Sequence, residues 1–388
     1  MTHPLKFPAP YAGGKSSIAH VVWEALGSPN HYIEPFVGSA AVLLAKPDGP
    51  APVETVNDAD GLLVNVWRAL RYNPDAVWRE IDGVPPMSLE VTARAKRIRA
   101  RAPGVVGRLA DNPEANDPIL AADWIYGACC TIGTDWTRGM DLGRPPKGAL
   151  GALHGLLEER VPALHISGSG NGVHAAIPGG EAVTALHLSR SRGVYAAHYS
   201  GANEPGITNV PSLHVGDAGR GINAALSLHR PGNGDAEARS EALRNWFQAL
   251  SARLSRVRIR YGDWAKVLTP AVLSANGGTI GVFLDPPYDD GESWQYAGGV
   301  GCAPAVAVWA REHGQDPRFR IVLAGHFGDH DLPGWKVHRW SRQGGYGSQA
   351  EGGNKDRHRE CLWLSPHCVG REDALASKPM RVDLWGTQ

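Results

Sequence analysis

Asp285-Pro286-Pro287-Tyr288 closes an apolar run, Gly281-Val282-Phe283-Leu284. The Asp285 carboxylate accepts hydrogen bonds, two prolines stiffen the turn, and Tyr288 offers a flat ring. Together they suit a planar base that carries an amino group. Taken alone, the tetrapeptide is equally an ordinary turn after a strand. The run before it is too short for a helix and is closed by prolines, which predicts a buried strand. Open α/β sheets hold their ligands at the carboxyl ends of such strands.

Three earlier segments add chemistry and name the elements that must position it. Pro10-Tyr11-Ala12-Gly13-Gly14-Lys15 takes a tight path through two glycines and ends in a lysine before the helical pattern Ile18, Val21, Val22, Leu26. It lacks the spacing of a phosphate-binding loop. His31-Tyr32-Ile33-Glu34-Pro35-Phe36-Val37-Gly38-Ser39-Ala40 predicts a short strand, a glycine turn and a helix through Ala41-Val42-Leu43-Leu44. That is the usual nucleoside-cofactor entry of a Rossmann-like sheet. Val53-Glu54-Thr55-Val56-Asn57-Asp58 predicts a second strand that ends in an acid. An acid about twenty residues beyond the glycine turn typically holds ribose hydroxyls. The other role open to Asp58 is to cap the following helix over Leu62, Leu63, Val66 and Leu70, and Asn57 or Asp60 serves that role equally well.

Further elements follow the same logic. Ala242, Leu243, Trp246, Phe247, Leu250 and Leu254 give a helical period within residues 236–257. Val257-Arg258-Ile259-Arg260-Tyr261 alternates as a strand and runs into Gly262-Asp263-Trp264. Arg320 to Ala324 and Glu360 to Leu364 predict further strands. Between residues 80 and 235 the texture changes. Arg94, Lys96, Arg97, Arg99, Arg101 and Arg108 form a basic helical stretch with few balancing acids, either a solvated face or a phosphate-facing one. Leu164-His165-Ile166, Leu186-His187-Leu188 and Leu213-His214-Val215 each lead through glycines to a second short run, which predicts hairpins decorated by Arg190, Arg192 and Arg220. Arginines at a hairpin tip enter a DNA groove or line a solvent loop. Residues 341–359 are Gly-rich and carry Arg342, Tyr346, Lys355, Arg357 and Arg359.

Composition sets outer limits. With 39 basic and 39 acidic residues there is no global pull toward nucleic acid, so any polyanion contact is local. A hydrophobic content of 43% allows a proper core. The five cysteines form no CxxC pair and no disulfide framework, which fits a reducing cytoplasm. No metal site is expected, because the spacing of His358, Cys361, His367 and Cys368 matches no zinc module. Met1-Thr2-His3-Pro4 lacks a signal pattern, no apolar stretch approaches membrane length, and no obligate protein partner is evident.

In this order, the segments resemble the Dam-type family of DNA adenine N6-methyltransferases. Pro10-Tyr11-Ala12-Gly13-Gly14-Lys15 is similar to the family's aromatic-x-Gly-Gly-Lys opening, and Glu34-Pro35-Phe36-Val37-Gly38 to its Glu-Pro-Phe-x-Gly segment. Asn57-Asp58 resembles its acidic ribose position, and Asp285-Pro286-Pro287-Tyr288 its catalytic tetrapeptide. The cover is roughly residues 7–75 and 240–295, and more loosely 320–365. Two positions depart from the pattern. Ala40 stands where the family carries a second glycine, a change that a right-handed helical backbone tolerates, and Trp264 replaces a phenylalanine.

The resemblance implies a Rossmann-like, mostly parallel α/β methyltransferase sheet built from residues 1–80 and 236–366, interrupted by a target-recognition insertion at 81–235 and followed by a tail at 367–388. It implies S-adenosylmethionine as cofactor, with Tyr11, Lys15, Asp58 and Asp285 in contact, Glu34, Phe36 and Gly38 lining its pocket, and Asp263 accepting from its adenine amine. Asp285, Pro286, Pro287 and Tyr288 would be catalytic, and double-stranded DNA would be the partner, contacted by Arg94, Lys96, Arg97, Arg138, Arg190, Arg192 and Arg220. Cytosine N4-methylation, and a catalytically silent DNA-binding protein, remain open alternatives. A cytosine-carbon methyltransferase is disfavoured, since no cysteine follows a proline.

Overall fold

A computed structural model describes residues 5–9, 11, 13–84, 88–130, 236–274, 277–287, 302–340 and 360–370, and the backbone of 164–166 and 173–175. The strands are β1 (His31–Glu34), β2 (Val53–Asp58), β3 (Leu164–Ile166), β4 (Val173–Ala175), β5 (Val257–Tyr261), β6 (Ile280–Leu284), β7 (Phe319–His326), β8 (Lys336–Arg339) and β9 (Glu360–Leu364). The helices, relabelled in chain order, are α1 (Ala19–Leu26), α2 (Ala41–Leu44), α3 (Gly61–Tyr72), α4 (Pro74–Ile81), α5 (Ser88–Leu109), α6 (Pro118–Cys130), α7 (Ala236–Leu254), α8 (Pro270–Ser274) and α9 (Ala303–His313). Contacts divide the chain into two compact units. One comprises Met1–Pro4, Gly13–Asp60 and Arg256–Gln388, the other Leu5–Ala12 and Gly61–Ser255.

The first unit is organised on a seven-stranded sheet of order β5-β2-β1-β6-β7-β9-β8. Neighbours from β5 to β7 are parallel, and β9 runs antiparallel to both β7 and β8. The order reverses between β1 and β6, the crevice where a doubly wound sheet takes its ligand. Both strands are buried along their whole length, as parallel strands covered on two faces are. On one face Ile33, Val282, Leu284, Ile321, Leu323 and Trp363 share a core with Val306 and Ala310 of α9. Each large apolar side chain so buried contributes about 1.5–3 kcal/mol. Against the other face, α1 packs on β6 and β7. Its Trp23 ring meets Tyr32 at 4.7 Å and donates Nε1 to the Val42 carbonyl at 2.7 Å. Gly281 in mid-β6 is required by this packing, because a Cβ there would fall 2.8 Å from Pro29.

The described part of the second unit is helical, apart from the antiparallel pair β3 and β4, in which His165 faces His174. That pair is the first of the three expected hairpins. The copies at 186–197 and 213–225 lie outside the described residues, as does 341–359. α6 is buried along nearly its whole length and packs against α3, α4 and α5, while α7 packs against α3 and α4. A helix apolar all round belongs at the centre of a bundle. By contacts, the two main unit boundaries fall at 60/61 and 255/256. The apolar faces of α3, α4 and α7 are satisfied by α6 and by one another, which assigns all three to the helical unit.

Candidate active site

β1 and β6 run in register, with Ile33 beside Val282, so their carboxyl ends emerge side by side. β6 delivers Asp285, Pro286 and Pro287, and both prolines are buried. Lys15, just ahead of α1, places Nζ 2.8 Å from Asp285 Oδ2, with the two side chains only 7% and 19% exposed. The same ammonium donates to the Gly13 carbonyl at 3.2 Å. Two motifs 270 positions apart in the chain thus meet in one ion pair. Tyr288 lies outside the described residues.

Glu34 ends β1 and is 2% exposed. The Tyr32 hydroxyl donates to its Oε2 at 2.9 Å. Burial pushes the Glu34 carboxyl up to about 8; the Tyr32 hydrogen bond opposes this shift, and the charges of Asp285 and Asp58 add to it. Asp58 ends β2 and accepts from the Gly38 amide at 3.0 Å and from the Asp60 amide at 2.9 Å. Burial raises its carboxyl too, against those amides and that of Ala59. A glycine turn thus presents an N–H to the acid twenty residues on. Gly38 has φ 46°, a left-handed conformation that glycine adopts at no steric cost.

Two aromatic rings follow the carboxyl ends of β1 and β5. Phe36 and Trp264 are half-buried and lie 6.3 Å apart between centroids at 27°. Asp263 is exposed and caps the short 3₁₀ turn Trp264–Val267, its Oδ1 accepting from the Ala265 amide at 2.8 Å. A carboxylate has roughly four acceptor sites, so this cap leaves room for a further donor. Asn57 was missing from the site expected from sequence beyond its place beside Asp58. Its Nδ2 donates to the Pro35 carbonyl at 3.1 Å and to the Gly262 carbonyl at 2.9 Å. The one local signal was an amide side chain beside the acid at the end of β2.

Several expectations are corrected. Ala40 is left-handed, with φ 51° and ψ 28°, and not in the right-handed well that would make an alanine there free of strain. Tyr11 groups with the helical unit, where its ring meets Phe7 edge-on at 5.8 Å, which does not bear on its expected cofactor contact. The basic face of α5 is not short of acids. Arg94, 3% exposed, bonds Asp123 at 2.9 Å, Glu90 at 2.6 Å and the Glu80 carbonyl at 2.7 Å. Arg97 bonds both oxygens of Asp123, and Arg101 bonds Asp117. A guanidinium buried like that of Arg94 has no face left for a phosphate, so Arg94 is removed from the expected DNA contacts. Lys96 stays exposed, and Arg97 keeps an exposed edge. Arg138, Arg190, Arg192 and Arg220 lie outside the described residues.

Among the described residues, no helix is long and apolar enough to cross a membrane. The mixed α/β unit with its mostly parallel central sheet is consistent with a methyltransferase fold. No curated protein matches the chain. Residues 11–88, about a fifth of the sequence and including Lys15, Glu34, Gly38 and Asp58, match the family model of the D12 class N6 adenine-specific DNA methyltransferases.

Proposed function

We propose that the protein methylates the N6 amine of adenine in double-stranded DNA, using S-adenosylmethionine as donor and an adenine swung out of the helix as acceptor. The observation that carries this reading is the Lys15–Asp285 ion pair at the sheet's reversal point, which joins the family-matched amino-terminal segment to Asp285-Pro286-Pro287. The residues fit such a donor. Its ribose hydroxyls need acceptors, and the roughly four acceptor sites of a carboxylate exceed the three amide bonds made by Asp58. Its adenine needs a flat apolar face, which Phe36 and Trp264 offer, and an acceptor for its amine, which Asp263 offers. Its cationic groups suit a pocket with Glu34, Asp58 and Asp285 at one sheet edge.

An exocyclic amine is a poor nucleophile because its lone pair is delocalised into the ring. Lys15 fixes the orientation of the Asp285 carboxylate. That carboxylate and the Pro286 carbonyl accept the two amine hydrogens, which favours a pyramidal nitrogen with a localised lone pair. The bound donor supplies a sulfonium methyl for in-line displacement. Bringing a base out of the duplex costs about a few kcal/mol. Stacking of Tyr288 returns roughly 1–3 kcal/mol by analogy with other base–aromatic platforms. The helical unit and the segment around 131–235 are the part of the chain proposed to touch DNA.

The deciding experiment is transfer of labelled methyl to unmethylated DNA by the wild type and by Asp285→Ala, followed by modified-base sequencing. N6-methyladenine from the wild type, with at least a hundredfold loss in the variant, is expected. N4-methylcytosine would transfer the reading to the other exocyclic amine. Undiminished turnover in the variant would refute the role of Asp285.

A further inference from the structure

We infer that Asn57 is a positioning residue that holds the two aromatic-bearing loops of the donor pocket in register; the inference rests on the function proposed above. β2 lies between β1 and β5 in the sheet, so the end of β2 is flanked by the loops that leave both neighbours. Asn57 binds each of them. One Nδ2 hydrogen goes to the Pro35 carbonyl at 3.1 Å and the other to the Gly262 carbonyl at 2.9 Å. Its main-chain carbonyl accepts from the Val37 amide at 2.9 Å, and the adjoining Asp58 carbonyl accepts from the Gly262 amide at 3.0 Å. Phe36 stands between Pro35 and Val37, and Trp264 two residues beyond Gly262. The clasp therefore fixes the backbone from which both rings project.

Chemistry explains why the residue is an asparagine. The site needs two N–H donors on a short, neutral side chain. Aspartate has none, serine has one, and glutamine is a methylene longer. The amide cannot be turned over, because Oδ1 would then face two carbonyl oxygens. In its present orientation Asn57 is 1% exposed, and its Oδ1 has no hydrogen-bond partner among the described residues. Leaving such an acceptor unmet carries a desolvation cost. A side chain selected for stability alone would avoid that cost, whereas one selected to hold two loops at a set spacing must accept it.

The test uses the full-length protein with Asn57→Asp, which keeps the size but loses both donors, and with Asn57→Ala. Hydrogen exchange is followed in peptides covering 35–38 and 260–264, with β6 and β7 as internal reference, and S-adenosylhomocysteine binding is measured by calorimetry. Exchange at least tenfold faster in both loops, an unchanged β6–β7 reference, and at least a tenfold weaker dissociation constant are expected. Should Asn57→Asp fail to fold, Asn57→Ala decides the matter by the same readings. Unchanged exchange in either loop would overturn the clasp. Faster exchange throughout the sheet would reduce Asn57 to a structural role, and a dissociation constant within twofold of wild type would remove its link to the donor. A wild type that binds no S-adenosylhomocysteine would instead refute the proposed function, and the exchange arm would still decide whether the clasp exists.

Discussion

Glu34 and Ala40 show how single residues set the properties of this pocket. Burial raises the Glu34 carboxyl from 4.5 to about 8, so the folded protein holds its proton more tightly than the unfolded chain does. The resulting stabilisation is fully present below about pH 4.5 and is lost as pH rises toward 8. Thermal melts should show wild-type stability falling between pH 5 and 8.5 by more than that of Glu34→Gln, which has no proton to lose. A cationic donor favours the ionised form, so its affinity should strengthen with pH over the same window in the wild type and stay nearly flat in Glu34→Gln, as read by calorimetry. At Ala40, relief of left-handed strain of about 1–2 kcal/mol opposes about 0.8 kcal/mol of lost methyl burial and about 0.4–1 kcal/mol of added backbone freedom. Ala40→Gly should thus lie within about 1 kcal/mol of wild type, where a right-handed helical site would lose that much outright. Ala40→Val should cost about 2 kcal/mol or more, because a β-branched side chain is a severe outlier in this conformation. Urea titration of the two variants measures both.

At the scale of elements, the ion-pair network between α5 and α6 decides whether the helical unit is stable. Asp123 is fully buried and serves both Arg94 and Arg97. Removing one member of such a buried set leaves a charge without compensation, at about 3–5 kcal/mol. Asp123→Ala and Arg94→Ala should each lower the unfolding free energy in urea by that order. A loss of DNA binding in Arg94→Ala would then follow the loss of fold. Equal stability of Asp123→Ala and wild type in urea would show that Arg94 is solvated. The same elements show how much sequence period conveys. β1, β2, β5, β6, β7 and β9 each fall where an apolar or alternating run was expected. α6 had no amphipathic signature, since it is buried all round, and β8 holds a single apolar residue, Val337, too few for a period to register.

For the whole molecule, the absence of net charge makes the proposed DNA binding a matter of local surface. Affinity for duplex DNA should fall as salt rises, through release of counterions from the phosphates. Lys96, exposed on α5, should contribute about one unit to the slope of log affinity against log salt, and Lys96→Ala should remove it without changing stability. A slope identical to wild type would exclude Lys96 from the interface.

The sequence determined six of the seven strands of the central sheet and the acids and glycines at their carboxyl ends. Those signals are local, carried by runs of a few residues and by prolines and glycines that restrict the backbone where they stand. It could not determine that Arg94 turns inward, since Asp123 lies in another helix, nor that α3, α4 and α7 pack together. Least of all could it show that Asn57 bonds Gly262, 205 positions away. Such pairings depend on which buried donors and acceptors become neighbours once the sheet order is set, and only the tertiary structure brings those groups within hydrogen-bonding distance.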